Sequence, residues 1–269
     1  MAQQQRLSAL LELVIVRGSV SIQDIVDELG VSPATARRDL NSLAEQRLVT
    51  RTRGGGMAMG SGYELPLQYK IPRHADAKIA IAQAVASLVN FGDVIGLNGG
   101  TTTSEVSRVL GRSQHLIGDG DEPGLTVVTN ALNIAFELSV RPHVTIVVTG
   151  GTARRQSYEL VGPLVGETID KLTLDTAILG VDGLTAEFGA TTIHPGEAEV
   201  SRQLAKVAGR VIVVTDSSKL GKSTFARICA LDRIDMLVTD AQVNAEFARD
   251  LERASVEVIV AEQNPKLPG

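Results

Sequence analysis

The sequence predicts a two-domain α/β protein, with a small helical domain at the N-terminus and a larger domain built on a mostly parallel β-sheet. The first domain is indicated by three short amphipathic helix patterns within residues 1–45. From residue 75 onward, short β-branched runs alternate with helical patterns, as in sheets whose parallel strands are joined by helices. The 269 residues suit one domain of roughly 55 residues and one of roughly 190.

The first two helices are predicted from apolar periodicity. In the first, a stripe ending near Arg17 consists of Leu7, Leu10, Leu11, Val14 and Ile15. The second runs from Ser21 to Leu29, and Ser21 and Asp24 have the spacing of a capping box. Its inward-facing residues are Ile22, Ile25, Val26 and Leu29. Gly30 follows directly, where a tight turn between helices needs a residue in the left-handed conformation.

The third helix lies in the stretch VSPATARRDL, residues 31–40, and has one apolar and one basic side. Ser32 can cap it, and Pro33 suits its first turn. Ala36, Leu40 and Leu43 form the apolar face, Thr35, Arg38 and Ser42 the opposite side, and Arg37 the flank. Helix, turn and helix in this order predict a helix-turn-helix whose second helix reads the major groove of DNA. The alternative, an ordinary surface helix with solvated arginines, is disfavoured by the helices upstream.

A wing is predicted after the third helix. The stretch LVTRTRGGG, residues 48–56, is a short β-like run with Arg51 and Arg53 followed by three glycines. A plain linker is the alternative, and the two arginines favour a ribbon along the phosphate backbone. We therefore expect residues 1–56 to form a winged helix-turn-helix domain. The candidate DNA contacts are Ser21, Ser32, Ala34, Thr35, Arg37, Arg38, Arg51 and Arg53.

Charge supports DNA binding locally, although the whole chain carries a net charge of −5, which argues against indiscriminate binding of nucleic acid. Between Arg37 and Arg53, five arginines stand against Asp39 and Glu45, a net charge of +3. Every basic residue up to Gly56 is arginine, which suits bidentate contacts. Because this basic patch is small, one domain alone should bind weakly, and we expect a homo-oligomer, a dimer or a tetramer.

Residues 57–74 are predicted to be a linker, since glycines, Pro66 and Pro72 disfavour long regular elements. The single cysteine, Cys229, excludes an internal disulfide and fits a reducing cytoplasm. The sequence shows neither a secretory leader nor an apolar run long enough to span a bilayer. We therefore expect a cytoplasmic protein with no membrane partner.

Residues 75–269 are predicted to form the α/β domain. The expected strands are 94–98, 125–129, 144–148, 176–180, 211–215, 236–239 and 256–260. The expected helices are 76–89, 103–110, 131–138, 162–171, 197–208 and 245–254. Residues 111–124 are predicted to be a surface loop.

In such sheets ligands bind beyond the carboxyl ends of the strands, so the sequences at strand ends indicate the site. The first strand ends in NGGTTT, where Gly99 and Gly100 allow close approach of the backbone and lead into a helix. Exposed amides at a helix N-terminus form an anion site, to which the hydroxyls of Thr101, Thr102 and Thr103 could add donors. The alternative is a strand–turn–helix that is merely well capped.

Other strands also end in polar sequences. Their candidate ligand-binding residues are Asn130, Gly150, Gly151, Asp182, Asp216 and Lys219, and Glu197 follows a nearby loop. Asp216 could accept hydrogen bonds from sugar hydroxyls, while Lys219 could pair with a phosphate. Several polar strand ends at one edge predict a pocket for a small, phosphorylated, hydroxyl-rich ligand.

Other chemistries find little support. The GKS sequence at residues 221–223 lacks the upstream glycine of a P-loop, because Asp216 stands there. The four histidines, at 74, 115, 143 and 194, lack metal-ligand spacing, and Cys229 has no partner. His194 could border the pocket beside Glu197, whereas His143 and Cys229 are interpreted as packing or surface residues. We expect no metal, no cofactor and no catalytic triad.

With these motifs, the chain resembles the DeoR family of bacterial transcriptional regulators. VSPATARRDLNSL is similar to that family's recognition helix and RTRGGG to its wing, with Arg53 in place of the usual His. NGGTTT, TNA, TGG, GVDG and TDSSK occur in the family's order, so the resemblance covers nearly the whole chain. It implies a sensor fold similar to ribose-5-phosphate isomerase and sugar-phosphate deaminases, and a sugar phosphate as inducer. By motif match, the site would be lined by Gly100, Thr101, Thr102, Thr103, Asp182, Asp216 and Lys219. RRQSYELVG, residues 154–162, resembles members linked to amino-sugar and hexose catabolism.

The sequence thus predicts a repressor of a sugar-catabolism operon that binds double-stranded operator DNA and loses affinity when a phosphorylated sugar is bound. The alternative is an enzyme that isomerises or deaminates a sugar phosphate, with Glu197, Glu199 or Asp182 as general base. An isomerase has no need of the winged domain, which favours the regulator. A structural DNA-bending protein fits the acidic C-terminal domain and its polar strand ends poorly.

Overall fold

The computed structural model describes residues 3–59, 66–71, 73–118 and 123–262. It divides into two compact units, Met1–Arg73 and His74–Gly269, called here the N-terminal and C-terminal units.

The N-terminal unit is a helix-turn-helix with a three-stranded antiparallel sheet. Its elements are α1 (Gln3–Arg17), β1 (Ser19–Ser21), α2 (Ile22–Leu29), α3 (Pro33–Glu45), β2 (Val49–Arg51), β3 (Gly55–Ala58) and α4 (Leu67–Lys70). The sheet order is β1-β3-β2, so the predicted wing is the hairpin of β2 and β3. The three helices were predicted, whereas β1 was not. It is only three residues long and is held by its pairing with β3.

Local bonds explain where the helices begin and end. The amide of Asp24 donates to Ser21 Oγ at 3.0 Å, and the amide of Ser21 donates back to Asp24 Oδ2 at 2.7 Å, which completes the capping box. Gly30 ends α2 with φ of +63°. Ser32 caps α3 by accepting from the amide of Thr35 at 3.2 Å. The apolar stripes of the three helices then meet in one core with Val20 and Tyr69.

The predicted linker, residues 57–74, differs from what the structure shows. Met57 and Ala58 complete β3, and residues 67–70 form α4. Tyr69 is buried in the core of the N-terminal unit and donates through its hydroxyl to Gln46 Oε1 at 2.7 Å. Burial of this apolar ring draws the segment into the unit, which extends to Arg73 rather than ending at Gly56. Residues 60–65 and 72 of the predicted linker lie outside the described residues.

The C-terminal unit is a doubly wound α/β domain. Its strands are β4 (Val94–Leu97), β5 (Leu125–Thr129), β6 (Val144–Val148), β7 (Thr152–Ala153), β8 (Leu160–Val161), β9 (Leu174–Gly180), β10 (Gly183–Thr185), β11 (Gly189–Thr192), β12 (Ala208–Val214), β13 (Ala226–Cys229), β14 (Met236–Thr239) and β15 (Glu257–Val260). Its helices are α5 (Ala75–Ala86), α6 (Thr101–Leu110), α7 (Leu132–Leu138), α8 (Pro163–Ile169), α9 (Pro195–Val207) and α10 (Ala245–Arg253).

All seven predicted strands form one parallel sheet in the order β15-β14-β12-β9-β4-β5-β6. The mostly parallel α/β class is therefore confirmed. One apolar core joins the sheet to α5, α6 and α7, and the other joins it to α8, α9 and α10. From β4 the chain adds β5 and β6 on one side of the sheet, and from β9 it adds β12, β14 and β15 on the other side. The topological switch therefore lies between β4 and β9.

Sequence analysis did not predict five short strands. β7 pairs with β8, and β10, β11 and β13 form a separate antiparallel sheet. The predicted surface loop, residues 111–124, also has a fixed part. Gln114–Leu116 form a 3₁₀ turn whose Leu116 is fully buried, because it packs into the core beside α5. Residues 119–122 of that loop lie outside the described residues.

Candidate functional site

The exposed side of α3 presents the predicted major-groove contacts. Arg37 and Arg38 are exposed, while Ala36, Leu40 and Leu43 on the other side are buried. An open depression of about 620 Å³ runs along this side and is lined by Gln3, Ala34, Arg37, Arg38, Asn41, Ser42 and Glu45. The helix is held from behind, because Arg6 of α1 forms two bonds with the buried Asp39, at 2.5 and 3.1 Å.

The hydroxyl residues predicted as DNA contacts also have local roles. Ser21 and Ser32 accept the capping bonds of α2 and α3. The hydroxyls of Ser32 and Thr35 lie 2.9 Å apart and are hydrogen-bonded. Both serines are exposed, so a second bond to a phosphate remains sterically open.

The wing presents two arginines and depends on close backbone packing. Arg51 and Arg53 are both exposed, and Arg51 Nη1 donates to the carbonyl oxygen of Gly55 at 3.0 Å. A Cβ atom at Gly55 would lie 1.8 Å from the carbonyl oxygen of Val20 on β1. Gly55 is therefore required for the approach of β3 to β1.

In the C-terminal unit, the NGGTTT turn lies at the topological switch. Asn98 follows β4 and links it to the end of β9. Its Nδ2 donates to the carbonyl oxygen of Gly180 at 2.9 Å, and its Oδ1 accepts from the amide of Gly180 at 2.8 Å. Gly100 then adopts φ of +136° and leads directly into α6. Both strand ends that flank the switch are thus fixed at this turn.

The first turn of α6 offers its amides rather than its hydroxyls. Thr103 Oγ1 donates to the carbonyl oxygen of Gly100 at 3.3 Å, and Thr102 and Thr103 are buried. Thr101 is half-buried. The amides of Thr101–Thr103 precede the first helical hydrogen bond, and within the described residues no side chain caps them. Such a helix N-terminus favours an anion.

A second group of predicted residues follows β9 and β12. Lys219 Nζ donates to the carbonyl oxygen of Val181 at 2.7 Å and lies 3.7 Å from Asp182 Oδ1. Asp182 Oδ2 also accepts from Thr192 Oγ1 at 2.9 Å. The structure therefore brings Asp182 and Lys219 together, with the carboxylate and the ammonium group both partly accessible.

Asp216 is buried beside this pair and holds a short 3₁₀ turn by accepting from the amide and the hydroxyl of Ser218. Burial alone would raise the pKa of Asp216, but the hydrogen bond from the Ser218 hydroxyl and the charge of Lys219 outweigh burial and lower that pKa below its ordinary value. The group is thus held as a carboxylate, able to accept hydrogen bonds.

Sequence analysis missed Glu159, which is 3% exposed and lies against the NGGTTT turn. Asn130 Nδ2 donates to its Oε2 at 3.0 Å, and the amide of Gly99 donates to the same carboxyl group. Beside it, Arg154 and Glu197 form a nearly buried ion pair. The available signal in the sequence was one acidic residue, Glu159, directly before the apolar Leu160 and Val161.

The pKa of Glu159 is raised to about 8, first by burial and then by the charge of Glu197. The hydrogen bonds from Asn130 and Gly99 and the charge of Arg154 oppose this rise without cancelling it. Near neutral pH the Glu159 carboxyl group is therefore mostly protonated.

The remaining predicted positions have structural roles. Gly150 and Gly151, with φ of +76° and +115°, turn the chain from β6 into the hairpin of β7 and β8. His194 caps α9, because its Nδ1 accepts from the amide of Gly196 at 3.1 Å. Cys229 is buried, and burial raises its pKa to about 11, so it is not a reactive thiolate at neutral pH.

In residues 3–59, 66–71, 73–118 and 123–262, no three His, Cys, Asp or Glu side chains are grouped to hold a metal ion. No helix in those ranges combines the length and apolarity needed to cross a membrane.

Both units match known domain families. Residues 6–60 match the DeoR-like helix-turn-helix domain, and residues 73–241 match the DeoR C terminal sensor domain. The chain is 32% identical to the HTH-type transcriptional regulator GlpR of Haloferax volcanii, over 95% of this chain and 96% of that one. It is 32% identical to the HTH-type transcriptional repressor GlcR of Bacillus subtilis, over 98% of each. It is 31% identical to the glycerol-3-phosphate regulon repressor of Escherichia coli K12, over 90% of this chain and 92% of that one.

Among solved structures, the chain is similar to ribose 5-phosphate isomerase A of Methanocaldococcus jannaschii, with 19% identity over 54% of each chain and a TM-score of 0.40. This likeness is remote and says nothing about chemistry. The relatives that match along nearly the whole chain are named as regulators and repressors, so the enzyme alternative is not favoured. With a DeoR-like DNA-binding domain, a DeoR sensor domain and full-length relatives of that kind, the chain belongs to the DeoR family of transcriptional regulators.

Proposed function

We propose that this regulator represses a sugar-catabolism operon and that its operator affinity falls when a phosphorylated sugar binds the C-terminal unit. It acts in the cytoplasm, where its operator lies. One observation carries the proposal. The uncapped first turn of α6 lies at the switch point between β4 and β9, where ligands of doubly wound sheets bind.

The phosphate is assigned to this turn. The amides of Thr101, Thr102 and Thr103 and the partial positive charge of the helix N-terminus favour a dianion over a neutral sugar. Lys219 adds a cation at the neighbouring strand ends. The name of the Escherichia coli relative, a glycerol-3-phosphate regulon repressor, agrees with a phosphorylated effector.

The sugar hydroxyls are assigned to the acceptors around the switch. Asp182 and Asp216 offer carboxylate oxygens, as described above. Asn130 Oδ1 is buried and has no hydrogen-bond partner within the described residues, so a ligand hydroxyl would satisfy it. Gly99, Gly100 and Glu197 complete the proposed wall beside them, with Gly150 and Gly151 at the turn after β6.

The DNA contacts are assigned to one side of the N-terminal unit. Arg37 and Arg38 enter the major groove with Ala34 and Thr35 beside them, while Ser21 and Ser32 bond phosphates from the helix ends. Arg51 and Arg53 of the wing lie along the phosphate backbone.

The proposal is tested by gel shift on the promoters that flank the regulator's own gene, with sugars and their phosphate esters added in pairs. We expect a specific complex that one phosphate ester dissociates at a concentration at which the matching free sugar has no effect. Equal release by a sugar and its ester would contradict the anion site. A specific complex that no ester changes would contradict effector control while leaving DNA binding intact.

A further inference from the structure

The side chain of Glu159 occupies the turn at which we place the effector's phosphate. A Cβ atom built at Gly99 would lie 2.2 Å from Glu159 Cγ and 2.6 Å from its Oε1. The carboxyl group therefore lies directly on the backbone of the turn, and only a glycine admits it. The Glu159 carboxyl group accepts a hydrogen bond from the amide of Gly99, which precedes Gly100 and the first turn of α6.

Within the part of the chain that the structure describes, no cation forms an ion pair with Glu159, although the charge of Arg154 lowers its pKa. Glu197 of α9 faces it as a second carboxylate, and Arg154, between β7 and β8, is paired with Glu197. Asn130 and Gly99, which follow β5 and β4, contribute only uncharged donors. Glu159 is thus buried among amides with a like charge beside it, which favours the neutral carboxylic acid.

A phosphate at the first turn of α6 would add a further negative charge next to this group. The donors assigned to the phosphate belong to Thr101, Thr102 and Thr103, within four residues of Gly99. A neutral Glu159 tolerates that anion, whereas a carboxylate in the same buried place repels it.

We propose that Glu159 couples effector binding to a proton: the phosphate group binds at the first turn of α6 only while the Glu159 carboxyl group is protonated. This inference rests on the proposed function, because it places the effector's phosphate at that turn. The proton comes from solvent or buffer, and it remains on a Glu159 oxygen in the complex. No covalent bond of the ligand changes.

The direction of the pH dependence follows from the pKa of about 8 in the free protein. Below that pH the competent, protonated form predominates, and binding takes up little additional proton. Above it, the competent fraction falls tenfold for each pH unit, and the apparent affinity falls with it. From pH 7 to pH 9.5 the apparent Kd should rise about thirtyfold. Cys229, with a pKa of about 11, titrates above this range.

The test measures the rise in melting temperature of the full-length protein as inorganic phosphate or sulfate is added, from pH 7 to pH 9.5 at constant ionic strength. Sulfate does not titrate in this range, so any pH dependence seen with it belongs to the protein. We compare the wild type with Glu159→Gln, which keeps the acceptor for the Gly99 amide but cannot ionise. Glu105→Gln is the matched control, because Glu105 lies on α6 and pairs with Arg108 of the same helix.

We expect the apparent Kd of sulfate to rise about thirtyfold in the wild type and in Glu105→Gln, and to stay constant in Glu159→Gln. Phosphate should show the same difference between the wild type and Glu159→Gln, added to the effect of its own ionisation. A flat wild-type profile, or the same slope in Glu159→Gln, would overturn the inference and leave the proposed anion site in place. Absence of anion binding in all three proteins at every pH would overturn the proposed site and the inference together. If Glu159→Gln fails to fold, Glu159→Ala, which also cannot ionise, provides the same comparison.

Discussion

Two buried carboxyl groups in this regulator are stabilised in different ways. Asp39 is 2% exposed in the N-terminal unit and is matched by the guanidinium group of Arg6. Glu159 is 3% exposed in the C-terminal unit, and among the described residues it accepts hydrogen bonds from the amides of Asn130 and Gly99 and forms no ion pair. The charge of Arg6 compensates the burial of the Asp39 carboxylate, whereas the Glu159 carboxyl group is kept neutral by a bound proton. The first arrangement suits a fixed support behind α3, and the second suits a site that responds to an incoming anion.

We predict that Arg37 and Arg38 contribute directly to operator binding. If the arginine contacts a base, its replacement by alanine in Arg37→Ala or Arg38→Ala should weaken the operator complex by about 1–3 kcal/mol and relax sequence specificity. A phosphate contact should instead weaken binding to all sequences alike. The measurement is fluorescence anisotropy with operator and scrambled DNA.

Arg17→Ala is the control for these two variants. Arg17 ends α1 and pairs with Glu28, so its loss removes the same charge from the N-terminal unit without touching α3. If the double variant Arg37→Ala, Arg38→Ala folds and keeps wild-type operator affinity, the assignment of the recognition surface is wrong.

A second prediction concerns Lys219. Lys219→Met keeps the apolar stem but removes the ammonium group that bonds the carbonyl oxygen of Val181 and approaches Asp182. Operator affinity should stay near that of the wild type. The concentration of phosphate ester needed to release the DNA should rise at least about tenfold, as expected for a lost charge-assisted bond. Gel shift across a range of ester concentrations measures both quantities.

Lys222→Met is the matched control, because Lys222 lies three residues further along the same loop and is exposed. A release curve for Lys219→Met that superimposes on that of Lys222→Met would place the effector's charge contact elsewhere.

At the scale of elements, the wing depends on the contact between β1 and β3. Gly55→Ala would bring a Cβ atom to 1.8 Å from the carbonyl oxygen of Val20, so the two strands must separate. We expect a loss of about 1–3 kcal/mol in the stability of the N-terminal unit, as for other overpacked positions. Hydrogen exchange measured by mass spectrometry should show weaker protection of β1 and β3, with the C-terminal unit unchanged.

Gly54→Ala provides the comparison, since a Cβ atom at Gly54 would meet no atom within 4 Å. Equal protection of the two variants would show that close approach does not limit the stability of the wing, and that the glycines serve the turn alone.

The elements that sequence analysis predicted are those whose signal is local. The strands of the parallel sheet are mostly apolar runs, such as residues 125–129 and 144–148, because both faces of the sheet are covered by helices. β1, β7 and β10 are two or three residues long and form only because a partner strand lies beside them. Strands of that length have no periodicity to detect.

The same distinction applies to the candidate site. NGGTTT and TDSSK were found because a glycine turn or a hydroxyl cluster is visible within a few residues. Glu159 was missed because its role depends on contact with Gly99 and Asn130, which are 60 and 29 positions away in the sequence. The linker was misjudged for a related reason. Its glycines and prolines were evident, whereas the burial of Tyr69 is a tertiary event.

At the scale of the whole molecule, charge is distributed unevenly. The segment from Arg37 to Arg53 carries +3 in a chain of net charge −5. Few phosphates can be neutralised by so small a patch, and the strength of DNA binding depends on that number. Two copies of the N-terminal unit on one operator would double the number of contacts, which is why we propose a homo-oligomer.

The surface that best fits a second copy of the chain is the apolar stripe of α7. Leu132 and Phe136 lie one turn apart on α7 and Val140 lies in the turn after its end; all three are exposed, Phe136 to 79%. The neighbouring strand β6 ends the parallel sheet, and its Val148 is exposed as well. Exposed apolar side chains grouped at one edge mark an interface, and a two-fold axis would place each stripe against its own copy.

We therefore predict that Phe136→Asp shifts the protein toward the monomer. A carboxylate buried between two stripes would face its symmetry mate, so dimer affinity should fall at least about a hundredfold, by the several kcal/mol that like charges cost at an interface. Analytical ultracentrifugation measures the oligomer, and anisotropy with operator DNA should show weaker binding. Phe225→Asp is the control, since Phe225 is 85% exposed but precedes β13 in a different sheet. Dissociation by Phe225→Asp and not by Phe136→Asp would move the interface to that sheet. If the wild type is already monomeric at micromolar concentration, the prediction of an oligomer is wrong, and a single N-terminal unit with its +3 patch must bind the operator.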